Sequence, residues 1–155
     1  VTSKEEKGTC VRVYLPASKK GSNPAQEANM PIDRGKETIL LVDDETSLLQ
    51  VGSEMLTALG YKVLPVGNGQ DAIDTYKKNR GTIDLIILDM IMPGMTGGDV
   101  FTRLKEIDPN IKAILSSGYS LDDQGKKLMD SGFCCFLQKP FGMKDLSIKI
   151  KEALR

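Results

Sequence analysis

Short apolar runs alternate with longer segments of helical periodicity between residues 38 and 155. The runs lie at 39–42, 62–66, 83–88, 111–115 and 133–137. All but the mixed second and fifth are almost continuously hydrophobic, which predicts strands covered on both faces. The periodicity between them predicts helices at 47–59, 70–79, 98–107, 121–130 and 144–154. Five successive βα units predict the α/β class, with a doubly wound, five-stranded parallel sheet and helices on both faces.

The front of the chain has a different pattern. Residues 17–37 are polar, with two prolines, two glycines and no sustained apolar period, and this composition predicts a linker. Within residues 1–16, the stretch GTCVRVYLPAS alternates apolar and other residues from Val11 onward. This alternation predicts a single strand that ends at Leu15-Pro16.

Composition narrows the classes of function. The 155 residues suffice for one domain and a short appendage. Because 21 basic residues balance 21 acidic ones, the formal net charge is zero. The protein therefore has no overall positive charge that would attract nucleic acid. No apolar run approaches the roughly 20 residues that span a bilayer, and the N-terminus lacks the apolar core of a signal peptide. We therefore expect a cytoplasmic domain without direct membrane contact, in which the three cysteines are reduced.

Polar side chains follow four of the five apolar runs. They are Asp43, Asp44 and Glu45 after the first run, Asp89 after the third, Ser116 and Ser117 after the fourth, and Lys139 and Pro140 after the fifth. Parallel βα units place functional groups at the carboxyl ends of their strands. In a sheet of order 2-1-3-4-5 the first and third strands are neighbours, so Asp43, Asp44 and Asp89 would converge on one crevice.

Three carboxylates in one crevice require cations. Two of them about 4 Å apart repel by about 4 kcal/mol at an effective dielectric constant near 20. A few hard oxygen ligands with room for water suit Mg²⁺ better than zinc or copper, and Lys139 would add a second cation. A crevice neutralised in this way tolerates a phosphoryl group, so we predict that Asp89 is the nucleophile of phosphoryl transfer. The 155 residues contain no histidine, so any phosphohistidine must come from another polypeptide or from a part of this protein outside the given sequence.

The same residues carry a resemblance to a known family. In chain order they are Asp43-Asp44, the stretch DMIMPGMTGGD led by Asp89, Ser117 followed by Gly118, and KPF at 139–141. The intervals of 28 residues from Asp89 to Ser117 and of 22 residues from there to Lys139 are each one βα unit long. With these four elements in order, residues 38–155 resemble a receiver domain of a two-component response regulator, which has a flavodoxin-like fold.

The resemblance implies a phosphorelay function and a role for each matching residue. Asp89 would accept a phosphoryl group from a histidine kinase or a histidine phosphotransfer protein. Ser117 and Lys139 would each contact a phosphoryl oxygen, and Phe136 would be the aromatic switch residue. The Mg²⁺ ligands would be Asp44, Asp89, the backbone carbonyl of Ile91 and, partly through water, Asp43. The Lys139-Pro140 bond would be cis. A weak dimer is left open.

The charged residues each have a structural alternative. Asp43 or Asp44 could cap the first helix, although a cap needs only one carboxylate. Asp89 could be an ordinary turn residue. Lys139 could be a surface lysine. If these alternatives held, the crevice would have no groups for metal binding or phosphoryl transfer.

The uncharged residues around the crevice have looser assignments. Ser117 could be a solvated loop hydroxyl, with Ser116 as the partner of the phosphoryl group if the register slips by one. Phe136 could simply belong to the core. Ile91, two residues after the acceptor, and Tyr119, two after Ser117, could crowd the water that hydrolyses an acyl phosphate. We therefore expect a comparatively long-lived phosphorylated state.

Three rival functions share part of the pattern. A Mg²⁺-dependent phosphatase-like enzyme of the haloacid-dehalogenase type needs a second acid two residues after its nucleophile, where this chain has Ile91. A flavodoxin-like flavin module would present hydroxyls and glycines in its first loop, where this chain has DDETS. The third rival is a degenerate receiver that acts only as a docking module, which the complete set of polar residues disfavours.

The front segment has a weaker resemblance of its own. GTCVRVYLPAS is similar to the closing strand of the ATP-binding domain of sensor histidine kinases, where Gly-Thr precedes the strand and Leu-Pro ends it. It implies that residues 1–16 are a remnant of that domain, in the carboxyl-terminal part of a hybrid histidine kinase whose parent chain could be anchored in a membrane. The receiver itself would only accept and slowly hydrolyse its phosphoryl group. Without an output domain after Arg155, the signal would leave through protein contacts of the fourth helix, the fifth strand and the last helix. An unrelated tail is the alternative.

Overall fold

The computed structural model of the chain describes residues 1–4, 8–14, 35–119 and 123–155. The chain divides into two units, Val1–Pro31 and Ile32–Arg155. Within the described ranges, no helix has the length and apolar character needed to cross a bilayer.

The first unit contains a short antiparallel pair of exposed strands, β1 (Thr2–Lys4) and β2 (Gly8–Cys10). The single strand expected to run on to Leu15-Pro16 is therefore shorter than predicted. Val11 and Val13 follow it as exposed residues. An alternating strand is stable when a neighbour covers its apolar face, and none of the described residues of this unit covers these valines. Residues 15–34, with the end of the expected strand and most of the expected linker, lie outside the described ranges.

The second unit contains five strands and five helices among its described residues. The strands are β3 (Thr38–Val42), β4 (Lys62–Val66), β5 (Leu85–Asp89), β6 (Ala113–Ser117) and β7 (Cys135–Gln138). The helices are α1 (Thr46–Ala58), α2 (Gly69–Lys78), α3 (Gly97–Ile107), α4 (Asp123–Asp130) and α5 (Met143–Leu154). The first two residues of the helix expected at 121–130 lie outside the described ranges.

Local signals set the helix boundaries. Asn68 caps α2 by accepting a hydrogen bond from the Asp71 N–H at 2.8 Å. Thr96 and Asp99 form a reciprocal capping box at the start of α3. After α1, Gly60 has φ of 96°, a left-handed conformation that favours glycine. These caps pair backbone groups that helix ends otherwise leave unsatisfied.

All five strands are parallel and lie in the order β4-β3-β5-β6-β7. In terms of this unit alone that is 2-1-3-4-5, so the predicted doubly wound sheet is confirmed. β3 and β5 are neighbours, with Val42 facing Leu88 at the carboxyl edge. The order thus brings the loops after β3 and β5 side by side, and it places the ends of β6 and β7 next to them.

Two apolar layers cover the sheet. Residues of alternate parity along each strand point to opposite faces, so one strand supplies both layers. The layer under α2 and α3 includes Leu40, Val42, Ile86, Leu88, Ala72, Ile73, Tyr76, Val100, Phe101 and Leu104. The layer under α1 and α5 includes Ile39, Leu41, Leu85, Ile87, Leu56, Leu59, Leu146 and Ile150. Burial of a Leu, Ile or Phe side chain contributes about 1.5–3 kcal/mol, and this burial fixes the carboxyl edge on a rigid base.

Three strands begin and end later than the apolar runs predicted. The run at 83–88 corresponds to a strand at Leu85–Asp89, and the runs at 111–115 and 133–137 are displaced in the same direction. The difference arises because backbone pairing defines a strand, whereas the apolar pattern reports burial. Pairing continues through polar Asp89, which faces Ser116, and through Ser117, which faces Gln138. Asp89 and Ser117 are therefore the last residues of their strands and have the rigid backbone of the sheet.

Candidate functional site

A lysine bridges two buried carboxylates at the carboxyl edge of the sheet. The Lys139 Nζ atom lies 2.6 Å from Asp43 Oδ2 and 2.7 Å from Asp89 Oδ1. Asp43 follows β3, Asp89 ends β5 and Lys139 follows β7, so three strands supply this cluster. The other Asp43 oxygen, Oδ1, accepts a hydrogen bond from the Glu45 N–H at 3.0 Å. The two hydrogen bonds of Lys139 are charge-assisted, and such bonds are about twice as strong as neutral ones.

Asp44 completes an acidic cluster with Asp43 and Asp89. Oxygen atoms from the three side chains lie within 4.8 Å of one another, and Asp44 is exposed while the other two are buried. The residue at the N-cap of α1 is Glu45, and its side chain makes no capping hydrogen bond. Asp43 and Asp44 thus do not occupy the capping position, and the alternative of a helix cap finds no support.

The electrostatics of the cluster follow from burial and from Lys139. Burial raises the pKa of Asp89 above its ordinary value of 3.8, and the repulsion from Asp43 and Asp44 adds to this, against the lowering effect of Lys139. Burial disfavours the charged form of Lys139, but the hydrogen bonds to Asp43 and Asp89 prevail and raise the pKa of the lysine. The ammonium group therefore keeps its charge at neutral pH. It offsets part of the negative charge of the three carboxylates.

The two serines at the end of β6 have different surroundings. Both are buried, and their positions alternate across the strand. The Ser117 Oγ atom accepts a hydrogen bond from the Tyr119 N–H at 3.1 Å, so its own proton is available to another acceptor. The Ser116 Oγ atom is buried without a hydrogen-bond partner. It lines an apolar cavity between α1 and the loop after β7, where Met55 and Phe141 are among the other lining residues.

Phe136 and Ile91 differ in exposure. Phe136 lies in β7, is partly buried and packs against the apolar layer under α2 and α3. Its position leaves its role as a switch residue a prediction. Ile91 lies in the loop after β5 with 56% of its surface exposed, and Tyr119 in the loop after β6 is 68% exposed. Both side chains are exposed in loops that follow strands at the carboxyl edge.

Sequence reasoning missed two residues that support the site. Gly97, the first residue of α3, packs so closely on the Asp89 carbonyl that a Cβ atom would clash with backbone there. The glycine pair at 97–98 after a Pro-Gly turn was the available signal. Gln138 was also missed: its amide bonds the carbonyl oxygens of Gly118 and Lys139, and no pattern in the sequence announces those contacts. The Lys139-Pro140 peptide bond is cis, as the resemblance implied.

The fold and the acid-lysine cluster together define a class of phosphoacceptor domains, and comparison with known proteins gives the family. The profile of the response regulator receiver domain matches residues 39–151. The chain belongs to this family. It is therefore a receiver domain of two-component systems, a class that is phosphorylated on aspartate with Mg²⁺.

Two relatives and one solved structure illustrate the match. The sensor kinase CckA of Brucella abortus is 30% identical over 157 residues, which cover 96% of this chain and 17% of that protein. Sporulation initiation phosphotransferase F of Bacillus subtilis is 33% identical over 118 residues, with 76% of this chain and 94% of that protein covered. The response regulator TrrA of Thermotoga maritima, solved in complex with Mg²⁺ and BeF, is 30% identical with a TM-score of 0.68; the match covers 76% of this chain and 99% of that one.

Proposed function

We propose that Asp89 is the phosphoryl acceptor of this receiver domain, with Lys139 as its charge partner. The observation that carries the proposal is the contact of 2.7 Å between Lys139 Nζ and Asp89 Oδ1 inside a cluster of three carboxylates. An ammonium group already in this position meets the negative charge of an incoming phosphoryl group without having to reorganise.

The transfer would use groups of this chain and of a donor. The carboxylate of Asp89 attacks the phosphorus of a phosphohistidine; the new O–P bond forms as the N–P bond breaks, and its electron pair stays on the imidazole nitrogen. The raised pKa of Asp89 makes the attacking oxygen more basic. The hydroxyl of Ser117 is available to donate to one phosphoryl oxygen, and Lys139 pairs with another. The imidazole must come from outside these 155 residues, which contain no histidine.

The acidic cluster fits a magnesium ion. Its donor set consists of carboxylate oxygens within 4.8 Å of one another, partly buried and partly exposed, which is the hard oxygen chemistry that Mg²⁺ prefers. Asp44 and Asp89 would hold the ion with the backbone carbonyl of Ile91, and Asp43 would contribute partly through water. When bound, the ion supplies positive charge for the phosphoryl oxygens.

Intact-mass spectrometry tests the assignment of Asp89. The protein is incubated with a small phosphodonor and Mg²⁺, and we expect one added phosphoryl group on the wild type and none on Asp89→Asn. A matched control is Asp84→Asn, because Asp84 lies just before β5, at the end of the strand away from the cluster, and bonds the Thr38 N–H. Phosphorylation of Asp89→Asn to the wild-type level would overturn the proposal.

We propose separately that the protein is longer and that residues 17–37 link the receiver to a sensor histidine kinase. The match to CckA omits only 4% of this chain, about six residues, so it extends into the segment before residue 38. By contrast, the match to sporulation initiation phosphotransferase F covers 118 residues, which is the length of the receiver domain alone. Residues 1–16 would then belong to the kinase's ATP-binding domain, and the partners would be that kinase and a histidine phosphotransfer protein. The test is phosphotransfer from the isolated kinase core of the full-length protein to the wild type but not to Asp89→Asn.

A further inference from the structure

The ends of β6 and β7 are joined by a side chain that lies outside the acid-lysine cluster. The Gln138 Nε2 atom lies 3.1 Å from the Gly118 carbonyl oxygen and 3.3 Å from the Lys139 carbonyl oxygen. Both partners are carbonyl oxygens, which only accept hydrogen bonds, so the amide nitrogen must face them with its two N–H groups. One amide therefore contacts the backbone beside both Ser117 and Lys139.

These bonds extend the sheet beyond its last regular pairing. Ser117 faces Gln138 in the parallel ladder, and the Lys139 N–H donates to the Ser117 carbonyl at 2.8 Å. The next residue on the β6 side, Gly118, has its carbonyl held by the Gln138 side chain in place of a backbone N–H. Gly118 and Tyr119 are exposed, so the hydrogen bond from Gln138 to the Gly118 carbonyl lies where the loop after β6 leaves the core.

The Ser117 hydroxyl belongs to the same loop. Its Oγ atom accepts from the Tyr119 N–H across Gly118, so the hydroxyl is part of a small turn made by these three residues. If the Gly118 carbonyl moves, the turn moves with it. Gln138 thus connects the turn that carries the hydroxyl to the strand end that carries the ammonium group of Lys139.

We propose that Gln138 is a positioning residue that holds the Ser117 turn in register with Lys139, so that both groups meet a phosphoryl group on Asp89. The proposal rests on the proposed function of Asp89. The hydrogen bonds described for the Gln138 side chain go to backbone carbonyl oxygens and not to the carboxylates of the acidic cluster. Its effect is on the placement of two groups that must act on the same phosphoryl group, and such placement is sensitive to small displacements.

The first test is the affinity of beryllium fluoride, a phosphoryl analogue, measured by calorimetry in Mg²⁺. Gln138→Leu keeps the side-chain size and removes both donors, and we expect a roughly threefold to tenfold weaker Kd, as for the loss of an ordinary hydrogen bond. Gln138→Glu keeps the shape, also lacks the donors and should weaken binding as well. The matched control is Gln50→Leu on α1, an exposed glutamine whose amide bonds Glu54 at 3.1 Å; its Kd should equal that of the wild type. An unchanged or tighter Kd for Gln138→Leu overturns the proposal.

The second test does not depend on phosphorylation. Hydrogen exchange of the Tyr119 amide, followed by NMR in the absence of analogue, should be faster in Gln138→Leu than in the wild type and in Gln50→Leu. Equal exchange would show that the turn does not need Gln138. If the wild type bound no analogue while exchange of the Tyr119 amide was still faster in the variant, the result would contradict the proposed function of Asp89. It would nevertheless support the role of Gln138 in holding the turn. A Gln138→Leu protein with global exchange as fast as that of Tyr119 would be destabilised throughout, which contradicts a local role.

Discussion

The two sides of the carboxyl edge hold their polar groups in different ways. On the β3–β5 side, Lys139 is bonded to two buried carboxylates at 2.6 and 2.7 Å. On the β6 side, the Ser117 hydroxyl is engaged by the backbone of its own turn. The first arrangement is a set of buried charges, whose removal must affect the stability of the fold. The second is a neutral group, whose importance should appear mainly when a phosphoryl group is present.

The largest expected effect is that of Lys139→Met. This change leaves Asp43 and Asp89 buried and close together without their cation, and breaking a buried pair in this way costs about 3 kcal/mol. We expect that loss in the free energy of unfolding, measured with urea in the presence of a chelator. Saturating Mg²⁺ should restore more stability to the variant than it adds to the wild type, since the ion binds the folded carboxylates.

Lys149→Met is the matched control for this comparison. Lys149 pairs with Glu152 at 2.8 Å on α5, where the side chain of Glu152 is about half exposed and that of Lys149 about one-third exposed. Exposed pairs contribute at most about 1 kcal/mol, and this variant should not respond to Mg²⁺ differently from the wild type. If both lysine variants lost the same stability, the ion pairs of Lys139 at the carboxyl edge would contribute no more to stability than the pair on α5.

Ser117→Ala should have the next largest effect, and on a different quantity. The hydroxyl is the donor expected to meet a phosphoryl oxygen, and loss of one such donor slows transfer by about tenfold or more. The free energy of unfolding should fall by about 1 kcal/mol, the net contribution of the hydrogen bond from the Tyr119 N–H, which is less than the loss expected for Lys139→Met. Phosphorylation rates from a small phosphodonor, followed by intact mass, give the first quantity, and urea unfolding gives the second.

Ser116→Ala distinguishes the two serines. Its Oγ atom is buried without a partner, so removal should leave stability unchanged or slightly improved and should leave the phosphorylation rate unchanged. A rate that falls in Ser116→Ala but not in Ser117→Ala would move the hydroxyl role to Ser116.

The difference between the two sides also explains what the sequence could predict. Asp43, Asp44, Asp89 and Lys139 were predictable because a charge at the end of a buried strand stands out, and because the strand order brings those ends together. The parallel sheet was predictable from five repeats of apolar run and amphipathic segment, and its order from the doubly wound, flavodoxin-like class. The network between the charges was not: nothing in the spacing says that Lys139 bonds both Asp43 and Asp89.

The contacts of the β6 side were less accessible for a physical reason. They run through backbone atoms, and every residue has the same backbone groups. The pairing of Ser117 with Gln138 and the bond from Gln138 to Gly118 depend on where a ladder ends. An apolar pattern reports burial, so it placed the starts of three strands two residues early and their ends one or two residues early, and it gave Gln138 no role.

Asp89→Asn tests the buried charge at the acceptor itself. Because the folded-state pKa of Asp89 is raised, chiefly by burial, the carboxyl group favours folding below its ordinary pKa and loses that contribution as the pH rises through the folded value. Asn carries no charge, and Lys139 keeps Asp43 as its partner, so the variant loses the cost of burying the Asp89 charge without leaving the lysine unpaired. We expect it to be more stable than the wild type by about 1 kcal/mol at neutral pH. The difference should grow as the pH rises above 3.8 and then level off.

Thermal unfolding across pH provides the measurement, with Glu106→Gln as an exposed control on α3. Because Glu106 is exposed, its replacement should change the stability by no more than about 0.5 kcal/mol. A stability gain in Asp89→Asn that shrinks with rising pH would mean that Lys139 outweighs burial at Asp89, and the pKa would then be lowered.

The smallest effect is expected from Ile91→Asn, at the border between the two sides. Ile91 is two residues after Asp89 and more than half exposed, so its side chain can shield an acyl phosphate from water without carrying stability. An amide in its place can hold a water by hydrogen bonds, and we expect loss of the phosphoryl group in Mg²⁺ buffer to accelerate by about threefold, a difference of under 1 kcal/mol. Intact mass followed over time after removal of the phosphodonor measures this rate. Ile148→Asn on α5, also about half exposed, is the control and should decay like the wild type. If Ile91→Asn lost its phosphoryl group at the wild-type rate, the Ile91 side chain would not limit the access of water to the acyl phosphate. The lifetime of the phosphorylated state would then have to be set by other groups, such as those of the acid-lysine cluster.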